Sequence, residues 1–529
     1  MKKRIWLIIS LLLLIVEFTP AIAQIRPKPM IYDYWQDGIY YRWNAGGAEV
    51  IYCDPELRAV SIPSEVKGMK VTRIGEMAFY QYSDLVSVVL PESITVIDSM
   101  AFLGCDNLSS INFPAGLTRI GKKAFQECDG LKSISLSDSL TEMRDGVFIG
   151  CDGLTSVVFP PGLTDIGDDV FFNCSNLQSV ALPEKLTRIG SRAFYYCYGL
   201  KTIDIPESVK SIGEEAFYYC RELDSIALPK QLKRIEKKAF NRCVGLYSVT
   251  IPDSVVELGE QAFAECTGLT SVTLPTGLTS LESGVFERCG KLRSVAMPDS
   301  VKSIADLAFF GCKALASVRL PAGLESIGIS SFEGCEELTS IVLPSSVRRI
   351  GPRAYYGCPI KELYVGGNLE PGALADLHWL TDATLGSQVT DASSVRWSDC
   401  DSLATLRVLA TTPPAAGEFS NKQYMNVEVR VPEGTLALYQ AADGWKNFWN
   451  LQESSFTGIS VAGAAATFRV RADGGHIVVE QAKGPVSVYD MAGRLVGRAT
   501  ADGGRAELAV PDGGTYIVKA GDTAVKIAL

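Results

Sequence analysis

Histidine occurs only twice in the 529 residues, at His378 and His476. That shortage removes most nucleophile chemistry, because a serine or cysteine is activated by a base within hydrogen-bond reach. C-x-x-C pairs are absent too, so a zinc site of the usual spacing is not expected. No apolar run approaches the roughly 20 residues that a membrane helix needs, the stretch from Ile5 to Val16 being too short. Bases do not dominate: 50 Lys and Arg stand against 60 Asp and Glu, a formal charge of −10, which disfavours nucleic acid as a partner. Carboxylates are plentiful, yet no acidic motif marks a glycosidase pair. The expectation is a protein without catalysis, cofactor or metal.

Regularity is what the chain has in abundance. Cysteines stand at Cys105, Cys128, Cys151, Cys174, Cys197, Cys220, Cys243, Cys266, Cys289, Cys312, Cys335 and Cys358, always 23 apart. A second column runs in the same step from Phe79 through Phe102 and Phe125 to Phe332 and closes with Tyr355, so at least thirteen units can be counted. Such a fixed period indicates a solenoid, in which each unit covers its neighbour's apolar face. Within a unit, Leu269, Val272 and Leu274 alternate with Ser271 and Thr273, the pattern of a short half-buried strand. A proline follows, as at Pro91, Pro183, Pro229 and Pro344, and lacking an N–H it ends the strand. Leu278, Leu281 and Phe286 then point inward from the opposite wall, and Gly190 or Gly213 suits a tight corner. The expected fold is a β-rich solenoid of 23-residue coils with one parallel sheet and a loosely structured back wall. Thirteen steps of about 4.8 Å would give a rigid face roughly 60 Å long.

The I-x-L-P, L-T-x-I-G, A-F and C-x-x-L elements resemble the BspA-like leucine-rich repeats of bacterial surface proteins, over roughly 300 of the 529 residues. Departures are few. Ser137 replaces the proline, Tyr355 the last phenylalanine, and Asp98, Arg144, Glu236, Glu282 and Ala305 the corner glycine. The resemblance implies an extracellular binding or adhesion role and supplies no ligand, since repeats of this kind are scaffolds first. The twelve register cysteines read as a buried column of reduced thiols, small apolar residues that donate weakly to turn carbonyls; parallel side chains are poorly disposed for disulfides. Cys53 and Cys400 lie off the comb.

Flanking segments divide the chain further. Lys2, Lys3 and Arg4 precede an apolar stretch, and Ala21-Ile22-Ala23 offers a cleavage site, so residues 1–23 read as a secretory signal peptide. Removing this leader, net +2 from three bases and Glu17, brings the charge to about −12. Residues 24–61, with Gly38–Trp43 and Glu49–Cys53 around Asn44-Ala-Gly-Gly47, read as a β-hairpin cap, needed because a bare solenoid end exposes an apolar face and a sheet edge. The repeats occupy 62–358. Ile360–Val365 and Cys400–Val408 look like strands of degenerate coils, and residues 359–456 read as irregular repeats and a C-terminal cap, with helix-like spacing of Leu436, Tyr439, Trp445 and Phe448. From 457 to 529, alternating runs at His476–Glu480, Val486–Asp490, Ala506–Val510 and Thr515–Lys519 read as a small antiparallel sandwich. Its V-x-V-Y-D-M-A-G-R-L-V and G-G-T-Y-I-V-K segments resemble the C-terminal sorting domain of type IX secretion cargo. That resemblance implies export across an outer membrane and attachment at the cell surface.

Two surfaces could bind a partner. The outward strand positions hold an almost unbroken row of hydroxyls, Ser87, Ser110, Ser133, Ser156, Ser179, Thr202, Ser225, Ser248, Ser271, Ser294, Ser317 and Ser340, which reads equally as a ladder satisfying itself and water. In mid-array, Phe172, Tyr195, Tyr196, Tyr198, Tyr218 and Tyr219 fill the variable places around the A-F and cysteine columns. The next coil is basic, with Lys233, Arg234, Lys237 and Lys238. Aromatics and cations supply much of the binding energy at interfaces, although tyrosines packed along a stack could serve stability alone. The reading is a monomeric, exported, non-catalytic protein that binds an extracellular protein or glycan, with a structural surface scaffold and a carbohydrate-active enzyme as rivals.

Overall fold

The computed structural model describes residue 29, residues 31–456 other than 371, 372 and 394, and, beyond these, 469–473, 476–480, 485–490, 495–501, 504–510, 515–520 and 523–528. The leader expected over residues 1–23 lies outside the described residues, as do 491–494 and 513–514 of the sorting-domain resemblance. The chain forms two compact units, Met1–Leu232 and Lys233–Leu529.

In the first unit, the alternating strands of successive coils pair in parallel and in register. Ser133–Ser135, Ser156–Val158, Ser179–Ala181 and Thr202–Asp204 form one four-stranded sheet, with Ser133 opposite Ser156, Ser156 opposite Ser179 and Ser179 opposite Thr202. Ile134, Val157, Val180 and Ile203 between them are buried, as period-two alternation requires. The back wall is more regular than the sequence suggests. Met69–Ile74, Val96–Ile97, Arg119–Ile120 and Glu142–Met143 pair as a second parallel sheet, because the L-T-x-I segment also places an outward polar residue beside an inward aliphatic one. At the amino-terminal side, the antiparallel hairpin Ile39–Asn44 and Gly47–Cys53 joins this wall through parallel pairing of Gly47–Cys53 with Met69–Ile74.

The second unit repeats the arrangement with Ser248–Thr250, Ser271–Thr273, Ser294–Ala296 and Ser317–Arg319. A six-stranded sheet follows, Ser340–Leu343, Glu362–Val365, Asp382–Leu385, Thr405–Val408, Glu428–Pro432 and Asn450–Ser454, all parallel. Degenerate coils therefore continue the stack, and the strand Asp382–Leu385 is one that the sequence pattern does not reveal. The helix-like segment condenses into Leu436–Ala441 and a short 3-10 turn, Trp445–Asn447. Tyr439 and Trp445 are buried there and donate to the carbonyls of Ala410 and Pro414, each at 2.7 Å. Near the carboxyl end, two antiparallel sheets pack around Ile477, Val479, Val486, Val488, Leu508 and Val518.

Between the walls run the two register columns. Phenylalanine rings from Phe79 to Phe217 in the first unit, and from Phe240 to Phe332 and Tyr355 in the second, stack nearly parallel on their neighbours, for example Phe102 on Phe125 at 5.1 Å and Phe332 on Tyr355 at 5.2 Å. Within each unit the register thiols, Cys105 to Cys220 and Cys266 to Cys358, donate to the carbonyl of the phenylalanine one coil earlier, as Cys128 to Phe102 at 3.1 Å and Cys266 to Phe240 at 3.1 Å. All fourteen cysteines are buried and carry reduced thiols. Burial pushes the thiols of Cys266 and Cys312, and equally those of Cys53 and Cys400, up to about 12, so they stay protonated and unreactive.

The A-F corner corrects the role expected of glycine. Gly190 and Gly213 are not at left-handed positions; an added Cβ on Gly190 would collide with the carbonyl oxygen of Gly167, and one on Gly213 would sit 2.7 Å from the amide nitrogen of Ser191. These glycines permit close approach of consecutive coils. The left-handed conformation falls instead two residues before and two after each phenylalanine, for instance at Arg192 and Tyr196 around Phe194, with φ of 53° and 61°. That alternation turns three peptide units per coil along the stacking direction. The N–H groups of Met100, Phe102 and Gly104 donate to Lys122, Ala124 and Gln126 of the next coil at 2.8–2.9 Å. The interior thus has a third inter-coil ladder beside the two sheets.

Candidate functional site

The aromatic group lies in the first unit, where the corner ladder fixes its backbone. Phe172, Tyr195 and Tyr218 each follow the buried phenylalanine of their coil, and their rings form a second, half-buried file: Phe172 on Tyr195 at 4.8 Å and 5°, Tyr195 on Tyr218 at 4.8 Å and 8°. The spacing is that of adjacent strands. Tyr196 and Tyr219 occupy the left-handed place after them, at φ 61° and 66°. Tyr196 packs on Tyr198 at 5.5 Å and edge-on to Tyr219 at 5.4 Å, and Tyr219 meets Tyr198 edge-on at 5.9 Å. All six rings are partly exposed.

Burial, followed by a hydrogen bond with Tyr196, holds the Tyr195 phenol well above its ordinary range. Tyr198 is raised by burial and then by the neighbouring Tyr196 and Tyr219. The Tyr195 and Tyr198 phenols consequently stay neutral. One member escaped the sequence reading: the guanidinium of Arg221 lies 5.4 Å from the centroid of the Tyr219 ring. Its signal was available, since Arg221 stands 23 residues after Tyr198 in the same column.

Lys233, Arg234, Lys237 and Lys238 belong to the second unit. Lys233, Arg234 and Lys237 are exposed and Lys238 is half-buried at a left-handed position, φ 53°. Lys237 pairs with Glu260 at 2.8 Å. The hydroxyl row is mostly exposed. Among the described residues none of its hydroxyls bonds to the next in the row; Ser225 instead donates to Asp224 at 2.9 Å. The ladder satisfying itself is therefore not formed, and the row faces solvent. His378 uses Nδ1 on the carbonyl of Asp399 at 3.0 Å. Among the described residues no group of His, Cys, Asp or Glu is arranged to hold a metal ion, and no helix is long and apolar enough to cross a membrane.

The stacked coils with their A-F corners and thiol column agree with comparison to known proteins. A family model described as the BspA type leucine rich repeat region, in six copies, matches residues 72–201, 141–269, 189–316, 256–371 and 302–413, a continuous span of more than half the chain. The chain belongs to this BspA-type leucine-rich repeat family. It is similar to a leucine-rich repeat protein of Bacteroides ovatus of known structure, at 27% identity and a TM-score of 0.59, over 72% of this chain and 95% of that one. A leucine rich cell surface protein of Faecalibacterium prausnitzii is 30% identical over 59% of this chain and 94% of its own, with a TM-score of 0.43. No curated protein matches the chain. Membership of this family supplies a scaffold rather than a ligand.

Proposed function

We propose that this BspA-type protein is exported, displayed at the cell surface and binds an extracellular protein or glycan without catalysis, through the aromatic cluster of the first unit. The observation that carries the reading is the stacked aromatic file of Phe172, Tyr195 and Tyr218, with Tyr196, Tyr198 and Tyr219 packed against one another beside it. Stacking at 4.8 Å also makes the surface rigid before any partner arrives, which lowers the entropy lost on binding.

Export rests on the leader pattern of residues 1–23, and outer-membrane attachment on the sorting-domain resemblance of residues 457–529. The test is retention of the chain from Gln24 onward on glycan arrays and immobilised matrix proteins, beside a variant with Tyr195, Tyr196, Tyr218 and Tyr219 replaced by serine. Loss of retention by a variant of unchanged circular dichroism supports the cluster. Equal retention rejects it. Failure of the natural chain to bind anything, with self-association by light scattering, supports a surface scaffold instead.

A further inference from the structure

The corner ladder has an electrical consequence at its end. In the second unit it consists of three columns of five hydrogen bonds. One runs Lys238 to Glu260, Gln261 to Ser283, Gly284 to Asp306, Leu307 to Ile329 and Ser330 to Pro352; those beside it end with Phe332 donating to Ala354 and Gly334 to Tyr356. The carbonyl that accepts in each coil and the N–H that donates onward belong to one peptide unit, so every dipole in a column points the same way. Peptide units carry about 3.5 D each, and their alignment in an α-helix leaves about half a positive charge at the N–H end. Here three columns end side by side.

The last donors are the N–H groups of Arg353, Tyr355 and Gly357, and among the described residues none of them has an acceptor. The next coil is shorter: Glu362 pairs with Asp382, a step of 20 residues where 23 is the rule. It leaves a cavity of about 360 Å³ between the two corners, lined by Arg353, Tyr355, Asp376 and Arg396 among others. Arg353 is held by Glu333 at 2.6 Å and lies 4.2 Å over the Tyr356 ring; Arg396 is 3.6 Å from Asp399. The groove therefore sets the amides of Arg353 and Tyr355 beside two guanidinium groups, each paired with a carboxylate outside the lining, and one lining carboxylate, Asp376.

We propose that this groove is an oxyanion site, independent of the aromatic cluster, which takes a sulfate, phosphate or carboxylate group. Aligned N–H groups at the positive end of a dipole array bind such groups at helix amino termini, and arginine adds charge-assisted hydrogen bonds. Asp376 opposes the anion and tunes its affinity.

The full chain, labelled with ¹⁵N at arginine and tyrosine, is titrated with sodium sulfate or sodium glucuronate against sodium chloride of equal ionic strength. The amide signals are assigned by the Arg353→Lys and Tyr355→Phe variants, which retain their N–H groups. Saturable shifts of the Arg353 and Tyr355 amides are expected, weakened about tenfold or more in Arg353→Ala/Arg396→Ala and strengthened in Asp376→Asn. A response to sulfate alone assigns the site to tetrahedral anions, and one to glucuronate alone to carboxylates. Unmoved amides in both the natural chain and Asp376→Asn, or shifts indifferent to loss of the two arginines, overturn the proposal.

Discussion

Replacing Phe125 by alanine tests whether the ring file, rather than the sheets alone, holds successive coils together. The ring is fully buried, between Phe102 at 5.1 Å and Phe148 at 5.7 Å, with Phe113 edge-on at 5.6 Å. A buried phenylalanine removes about 150–250 Å² from water, about 4–6 kcal/mol at ~25 cal/mol per Å², of which alanine keeps only a methyl's share. Each ring contact adds about 0.5–1.5 kcal/mol. Partial collapse of the cavity offsets some of this, and large-to-small core changes of this type come to about 3–5 kcal/mol. The expected loss is about 4 kcal/mol, and about 2 kcal/mol for Phe125→Leu, which retains volume but forfeits the ring contacts. Because repeats couple to their nearest neighbours, hydrogen exchange read by mass spectrometry should show the damage locally. The amides of Phe102, Glu127 and Phe148, which donate to Ala124, Ile149 and Val170, should lose protection, while Arg192 and Phe194, which donate to Glu214 and Ala216, keep it. A loss below about 1 kcal/mol, or deprotection spread evenly over the first unit, would refute the account.

Two further outcomes follow from other positions. Gly190→Ala should destabilise by about 2 kcal/mol or more in urea denaturation, since the methyl meets the backbone of Gly167, whereas Gly162→Ala, with nothing within 4 Å, should be neutral or stabilising by up to about 1 kcal/mol. Asp129 is raised above 3.8 by burial, with Asp152 and Glu127 adding repulsion. A carboxylate raised on folding disfavours the folded state once ionised, so its contribution improves as pH falls through the window between the raised value and 3.8. Asp129→Asn keeps the oxygen that accepts from the Asp152 amide at 3.2 Å; it should raise the melting temperature at pH 7 and lose that advantage below the ordinary carboxylate range. A melting temperature equal to that of the natural chain at pH 7 would count against the repulsive column.

The 23-residue step made the solenoid legible before any coordinate, because a column of identical residues can only be satisfied by neighbours one coil away. It also located the thiols, whose uniform place implied one shared contact, met by the phenylalanine carbonyls. The aromatic members of the candidate cluster could be named from the same register. Arg221 was legible in the same way, 23 residues after Tyr198, but the half-buried stacking was not, since side-chain direction depends on the left-handed places, and Arg, Asn, Glu, Tyr and Gly all occupy those without a common signature. The strand Asp382–Leu385 was hidden because its coil is three residues shorter than the rule and carries neither the A-F nor the cysteine element.

Sequence alone determined that this chain is an array of equivalent coils, since periodicity is a property of order along the chain. Tertiary structure decided why each coil has glycine where it does, which peptide units align, and where that alignment stops. Those answers depend on the distance between residues about 22 positions apart, which hydrogen bonding sets and composition does not record.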